Sequence, residues 1–139
     1  MPAIKHYLVI NSTTKKIYNA LTTKTGITNW WTSQTEIGSK IGDINIFNFG
    51  TRYHNEMSIA DLQPNKRVEW KCIVGDKEWI GTNFVFELEE KDKDTILRFS
   101  HYNWNEETDF FASCNYQWAY YLGSLKQYCE TGIGTPFKG

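Results

Sequence analysis

Apolar and polar positions follow two different periods along this chain. Residues 4–10 (Ile-Lys-His-Tyr-Leu-Val-Ile) are β-rich and read as a first strand. Asn11-Ser12-Thr13-Thr14 then offers helix caps, and Ile17, Ala20 and Leu21 recur at helical spacing. A short helix is therefore expected over about 14–22. A second short helical segment is expected around 26–31, ending in Trp30-Trp31. From there the period falls to two. Ile44–Phe49 reads as a strand, closed by a turn at Phe49-Gly50-Thr51. Tyr53, Asn55, Met57 and Ile59 share one strand face, and Arg52, His54, Glu56 and Ser58 share the other. The first set holds the large apolar residues and should face inward.

Gln63-Pro64-Asn65 marks a further turn. Val68, Trp70 and Cys72 alternate with Arg67, Glu69 and Lys71, as in a half-buried strand. Gly75-Asp76-Lys77 turns the chain again. Thr82, Phe84, Phe86 and Leu88 form one inward row, and Thr95, Leu97, Phe99 and His101 form another. The charged run from Glu89 to Asp94 between those rows reads as a solvated hairpin tip. The last third returns to steps of three and four: Phe110, Phe111, Cys114, Trp118, Tyr121, Leu122, Leu125, Tyr128 and Cys129 lie on one face of a helix of about 24 residues. Gly132, Gly134 and Pro136 end it.

The expected order is strand, two short helices, five strands, one long helix. Short turns between the middle strands imply antiparallel pairing. The expected class is α+β: a curved antiparallel sheet wrapped around the long C-terminal α-helix, which buries both apolar faces.

Composition narrows the function classes. The 139 residues suit one domain spanning 1–139, and 40% hydrophobic content supports a real core. Fifteen basic and 16 acidic residues leave a net charge of -1. The basic residues are scattered, so neither nucleic acid nor an acidic membrane is an expected partner. No run reaches the roughly 18 apolar residues of a membrane span. The first residues lack the apolar stretch of a secretion signal, and a cytoplasmic location is expected. Cys72, Cys114 and Cys129 form no CxxC pair, and no cysteines or histidines stand at metal-ligand spacing. Reduced thiols, no metal and no cofactor are expected. P-loop, GxGxxG, GxSxG and HExxH patterns are absent.

An ordered set of motifs carries a family resemblance. It comprises Ala20-Leu21-Thr22-Thr23 through Trp30-Trp31, Pro64-Asn65-Lys66-Arg67-Val68-Glu69-Trp70, and Gly81-Thr82 with Phe86-Glu87-Leu88. It continues through Thr95 with Phe99-Ser100-His101, Trp118, Tyr121-Leu122, Ser124-Leu125-Lys126, and Gly132 to Pro136. The set resembles the START-like (SRPBCC) superfamily of birch-pollen allergens and polyketide cyclases, in the branch named after the activator of the heat-shock-protein-90 ATPase. The resemblance implies a helix-grip fold with a pocket between the long helix and the sheet. That superfamily holds ligand carriers, cyclases, hydrolases and cochaperone domains, so fold does not dictate function.

Trp70, Phe84, Phe86, Phe99, Phe111, Trp118 and Tyr121 all point toward the sheet–helix interior by parity or helical phase. They either line a pocket for a small hydrophobic molecule or fill the core. Thr82 and His101 are the inward polar groups that could orient such a ligand. His101 is also the single candidate for acid/base catalysis; the alternative is a structural histidine. On the ligand reading, His101→Ala alters ligand choice more than stability. His54 and Glu56 fit a solvated outer face, and His6 carries no signal. Trp30 and Trp31 pack into the core, or one guards the pocket entrance. Tyr120, Tyr121 and Tyr128 could lend hydroxyls to a ligand. Cys114 reads as an inert filler, since nothing nearby in sequence would lower its pKa. Three roles are open: binding of a small hydrophobic or amphipathic ligand, a cyclase- or hydrolase-like activity, and a cochaperone-like module with a chaperone partner. A homodimer through an exposed strand edge is a further expectation.

Overall fold

Two threonines start the helical segment. In the computed structural model, which describes residues 1–139, Thr13 Oγ1 accepts the Lys16 amide at 3.1 Å and opens α1 (Thr14–Thr22). Thr23 ends α1 and caps α2 (Lys24–Trp30), its Oγ1 accepting the Gly26 amide at 3.0 Å. The second helix thus begins two residues before the expected 26, because the cap lies ahead of Gly26 rather than at it. The two helices meet at the Gly26 Cα, where a Cβ would stand 2.5 Å from the Ala20 backbone. Trp30 Nε1 bonds the Ala20 carbonyl at 2.8 Å across the same joint.

The strands are β1 (Ile4–Ile10), β2 (Gln34–Glu36), β3 (Ile44–Phe49), β4 (Tyr53–Gln63), β5 (Arg67–Val74), β6 (Asn83–Lys91) and β7 (Asp94–Tyr102). They form one antiparallel sheet in the order β1-β7-β6-β5-β4-β3-β2. The five expected middle strands are β3 to β7. β2 was not expected: it is three residues long, and only Thr35 turns inward, too few for a period to register. The expected charged tip narrows to Asp92-Lys93, since Lys91 and Asp94 already pair across the hairpin. Register shifts at Glu56/Met57 and Ile59/Asp61 bend β4 and help the sheet to curve.

Helix α3 spans Asp109–Thr131, roughly 35 Å at 1.5 Å per residue. Thr108 Oγ1 caps it by accepting the Phe111 amide, and Gly132 closes it at φ 88, the left-handed cap that glycine adopts without strain. Cys114, Trp118, Leu122, Leu125 and Cys129 are its buried stripe, while Phe110, Phe111, Tyr121 and Tyr128 are only partly buried. The sheet and α3 enclose the core. Beyond the helix, the tail returns to the sheet: Phe137 N bonds Trp31 O at 2.8 Å, and Ser33 N bonds Phe137 O at 2.9 Å. Ser124 Oγ fastens that return by donating to Trp30 O and accepting the Thr135 amide, both at 2.7 Å. No helix is long and apolar enough to cross a membrane.

Candidate functional site

The inward strand rows and the first half of α3 do not fill the space between them. A cavity of about 440 Å³ remains there, within the range of small-molecule sites. From α3 come Phe110, Cys114, Trp118 and Tyr121, with Ser113 and Gln117 at the rim. The β3–β4 hairpin supplies Phe49, Arg52, Tyr53 and Asn55. Arg52, expected on the outer strand face with His54, instead reaches the cavity because it lies in the turn before β4, where strand alternation does not hold. Trp31 after α2, Asp76 and Trp79 from the β5–β6 loop, and Phe137 from the C-terminal tail complete the wall. The rings brace one another: Phe49 lies 5.5 Å from Phe137 and 6.1 Å from Tyr121, and Trp31 lies 5.1 Å from Trp118. Exposed Arg52, Ser113 and Gln117 mark the side open to solvent.

Two of the nine residues expected to touch a ligand, Trp118 and Tyr121, line this cavity. The other seven lie elsewhere. Phe84, Phe86 and Phe99 are fully buried in the core beneath Trp118. Trp70 is 1% exposed and borders a smaller cavity of about 140 Å³ near α1. Phe111 is half-buried against Trp104, with ring centroids 5.0 Å apart. Thr82 and His101 are buried one layer behind the wall. The physical reason is common to all seven: strand parity and helical phase give the side of a residue, not its depth. Of the two tryptophans after α2, Trp30 packs in the core and Trp31 lines the cavity. Tyr120 faces solvent, Tyr128 is half-buried and Tyr121 lies at the cavity.

His101 has 0% exposure and both ring nitrogens are engaged. Trp118 Nε1–H donates to Nδ1 at 3.2 Å, so the ring proton sits on Nε2. Nε2–H then donates to Thr82 Oγ1 at 2.8 Å, and that hydroxyl donates to the Trp79 carbonyl at 2.6 Å. Every link has a donor and an acceptor only if the imidazole is neutral. Burial acts in the same direction, holding the His101 pKa well below its usual value. The histidine therefore ties together two cavity tryptophans, Trp118 directly and Trp79 through Thr82. This geometry reverses the expectation for His101→Ala: loss of stability should dominate, because three polar groups lose their order together.

Trp79 and Trp104 carried no sequence signal. Trp79 sits in the β5–β6 loop, outside any period, yet its ring stands at 89° to His101 and its Nε1 donates to Cys114 Sγ at 3.3 Å. Trp104 is 1% exposed, beyond the end of β7, and its ring lies 4.7 Å from His101. Phe137 gave none either, because it reaches the cavity only after the chain reverses at Gly132. The Cys114 thiol is pushed up to about 11, mainly by burial, so it lines the wall as an unreactive group. His54 lies on the outer face as expected, with Nε2 2.8 Å from Glu56 Oε2. No set of three His, Cys, Asp or Glu side chains comes together to hold a metal ion.

The outer face of the sheet holds a second polar assembly. Arg67 bonds Asp61 and Glu69, both at 2.7 Å, and Glu69 Oε2 accepts from Tyr102 and Asn83. Burial, then the Glu69 carboxylate, pushes the Tyr102 hydroxyl up to about 12. The assembly clamps β4, β5, β6 and β7 together.

Comparison with curated proteins gives no match. Among solved structures, the Aha1 dimer of Colwellia psychrerythraea is 39% identical, with a TM-score of 0.88 over 96% of this chain and all of that one. A Staphylococcus saprophyticus protein shares the fold at 15% identity and TM-score 0.80, covering 96% of each chain. A Bacillus halodurans protein does so at 18% and 0.74, covering 94% of this chain and 98% of that one. The family model for activator of Hsp90 ATPase homolog 1-like proteins matches residues 11–130, almost the whole helix-grip unit from the first cap to the end of α3. The chain belongs to that family.

Proposed function

We propose that this protein binds a small hydrophobic or amphipathic molecule in the cavity beneath α3. The observation that carries the reading is a space of about 440 Å³, walled mainly by aromatic rings and left unfilled beneath α3. Covering about 200 Å² of apolar ligand surface is worth about 5 kcal/mol, before the cost of association. The rigid tryptophans favour a flat guest. Catalysis by His101 is disfavoured, since both its nitrogens are engaged and it stands behind the wall. An open cavity also weighs against a purely packed, partner-binding module.

Native mass spectrometry of freshly purified protein tests the reading, with denatured extracts run beside it. A reproducible adduct that is released as a free small molecule on denaturation supports it. A clean mass, together with no saturable uptake of the neutral fluorophore N-phenylnaphthylamine, overturns it.

We further propose that the chain forms a homodimer through the outer face of α3. The Colwellia relative is a dimer. In this chain no charged residue falls between Asp109 and Lys126, while Tyr116 is 73% and Tyr120 52% exposed. Light scattering should give twice the chain mass, and Tyr116→Lys should restore the monomer. A monomer at all concentrations overturns the proposal.

A further inference from the structure

The cavity wall contains two charges without ionic partners. Arg52 takes part in none of the six ion pairs of the fold. Its guanidinium instead lies over the Tyr53 ring, 5.4 Å from the centroid, which holds the donor fork at the cavity wall. Asp76 has no cation either; Oδ1 accepts the Glu78 amide at 2.9 Å, and Oδ2 has no protein donor. The two do not pair with each other, although both line the same space.

A third group points the same way. Asn55 is 3% exposed, and its amide nitrogen donates to the Phe47 carbonyl at 3.0 Å. Its Oδ1 receives no protein hydrogen bond and lies beside Gly75, where a Cβ would come within 2.7 Å of it. The oxygen is not itself sealed from solvent, so it is an acceptor on the cavity wall free to take a donor from a guest or water.

We propose that the cavity selects a flat aromatic carboxylic acid that also carries an O–H or N–H donor. This rests on the ligand-binding reading above. The carboxylate lies on the Arg52 fork, the ring lies among the aromatic walls, and the donor meets Asp76 or Asn55. Bidentate guanidinium–carboxylate bonds are the strong, oriented kind, so the acid gains over its neutral amide. A plain fatty chain would leave the acceptor side unpaired. A strongly cationic guest would meet Arg52.

The test uses hydroxynaphthoate, with its hydroxyl on the ring remote from the carboxylate, and two analogues, followed by calorimetric titration of the full chain. The expected result is that hydroxynaphthoate binds about ten-fold more tightly than hydroxynaphthamide, which lacks the charge, and several-fold more tightly than naphthoate, which lacks the donor. Arg52→Gln should abolish the preference for the acid over the amide, while Lys71→Gln, on the outer face of the sheet, retains it. An unchanged melting temperature for Arg52→Gln identifies a folded variant. Equal binding of acid and amide, or a preference that survives Arg52→Gln, overturns the assignment of Arg52. Equal binding of hydroxynaphthoate and naphthoate overturns the donor half. In these cases, saturable uptake of N-phenylnaphthylamine leaves the cavity reading standing; absence of any uptake removes both.

Discussion

Replacing His101 by glutamine should flatten the acid side of the stability curve. In the folded protein the imidazole is neutral, because it is buried and its Nδ1 already accepts the Trp118 N–H. In the unfolded chain it titrates with a pKa of about 6.5. Below that pH the unfolded state holds a proton that the folded state refuses, so stability falls as pH falls. The unfolded-state proton factor is about 1.1 at pH 7.5 and about 11 at pH 5.5. Their ratio of about ten corresponds to about 1.4 kcal/mol of stability lost through this one residue. Glutamine does not titrate, and its amide keeps a donor and an acceptor. All other titratable groups are common to both proteins, so their difference isolates His101. Urea unfolding followed by tryptophan fluorescence at the two pH values measures it. Glutamine should cost stability at neutral pH, and the gap to the wild type should narrow by about 1.4 kcal/mol at the lower pH. Parallel curves would refute the closed chain from Trp118 through His101 and Thr82 to Trp79. The imidazole would then be accepting a proton in the fold as readily as outside it.

Ser124→Ala should cost about 2 kcal/mol by calorimetry, because the Trp30 carbonyl and the Thr135 amide both lose their partner; no change would mean that the tail is not pinned there. Gly26→Ala should destabilise by about 2–3 kcal/mol, since its Cβ would meet rigid Ala20 backbone at 2.5 Å. Burial pushes the Cys72 and Cys114 thiols up to about 11 and Cys129 to about 12. Labelling of Cys72 and Cys129 by an aromatic disulfide reagent at mildly alkaline pH, mapped by peptide, should therefore proceed no faster than unfolding, and rapid reaction of either would show that its site opens.

Local sequence signals were enough for most of the architecture. Alternation placed β3 to β7 and their inward rows, because a pleated strand turns successive side chains to opposite faces. The three-and-four spacing from Phe110 to Cys129, with Gly132 after it, set the length and apolar stripe of α3. The family followed from motifs spread in fixed order along the chain. β2 lay below what a period can reveal, and nothing local announced that β1 pairs with β7, since that contact joins the first and last strands of the chain.

The cavity needed the tertiary structure. Trp118 and Trp70 share an inward phase, yet Trp118 faces the large cavity and Trp70 faces the small one. Trp79 and Phe137 come from a loop and a tail, where no period exists to read, and Arg52, which alternation assigned to the outer strand face, lies in the turn before β4; the three line one cavity only after the sheet curves and the chain reverses. His101 was legible as inward and polar. Its bonds to Trp118 and Thr82 come from residues 17 and 19 positions away, and they set it behind the cavity wall. Facing is a local property of the backbone; depth and partners depend on where distant elements come to rest.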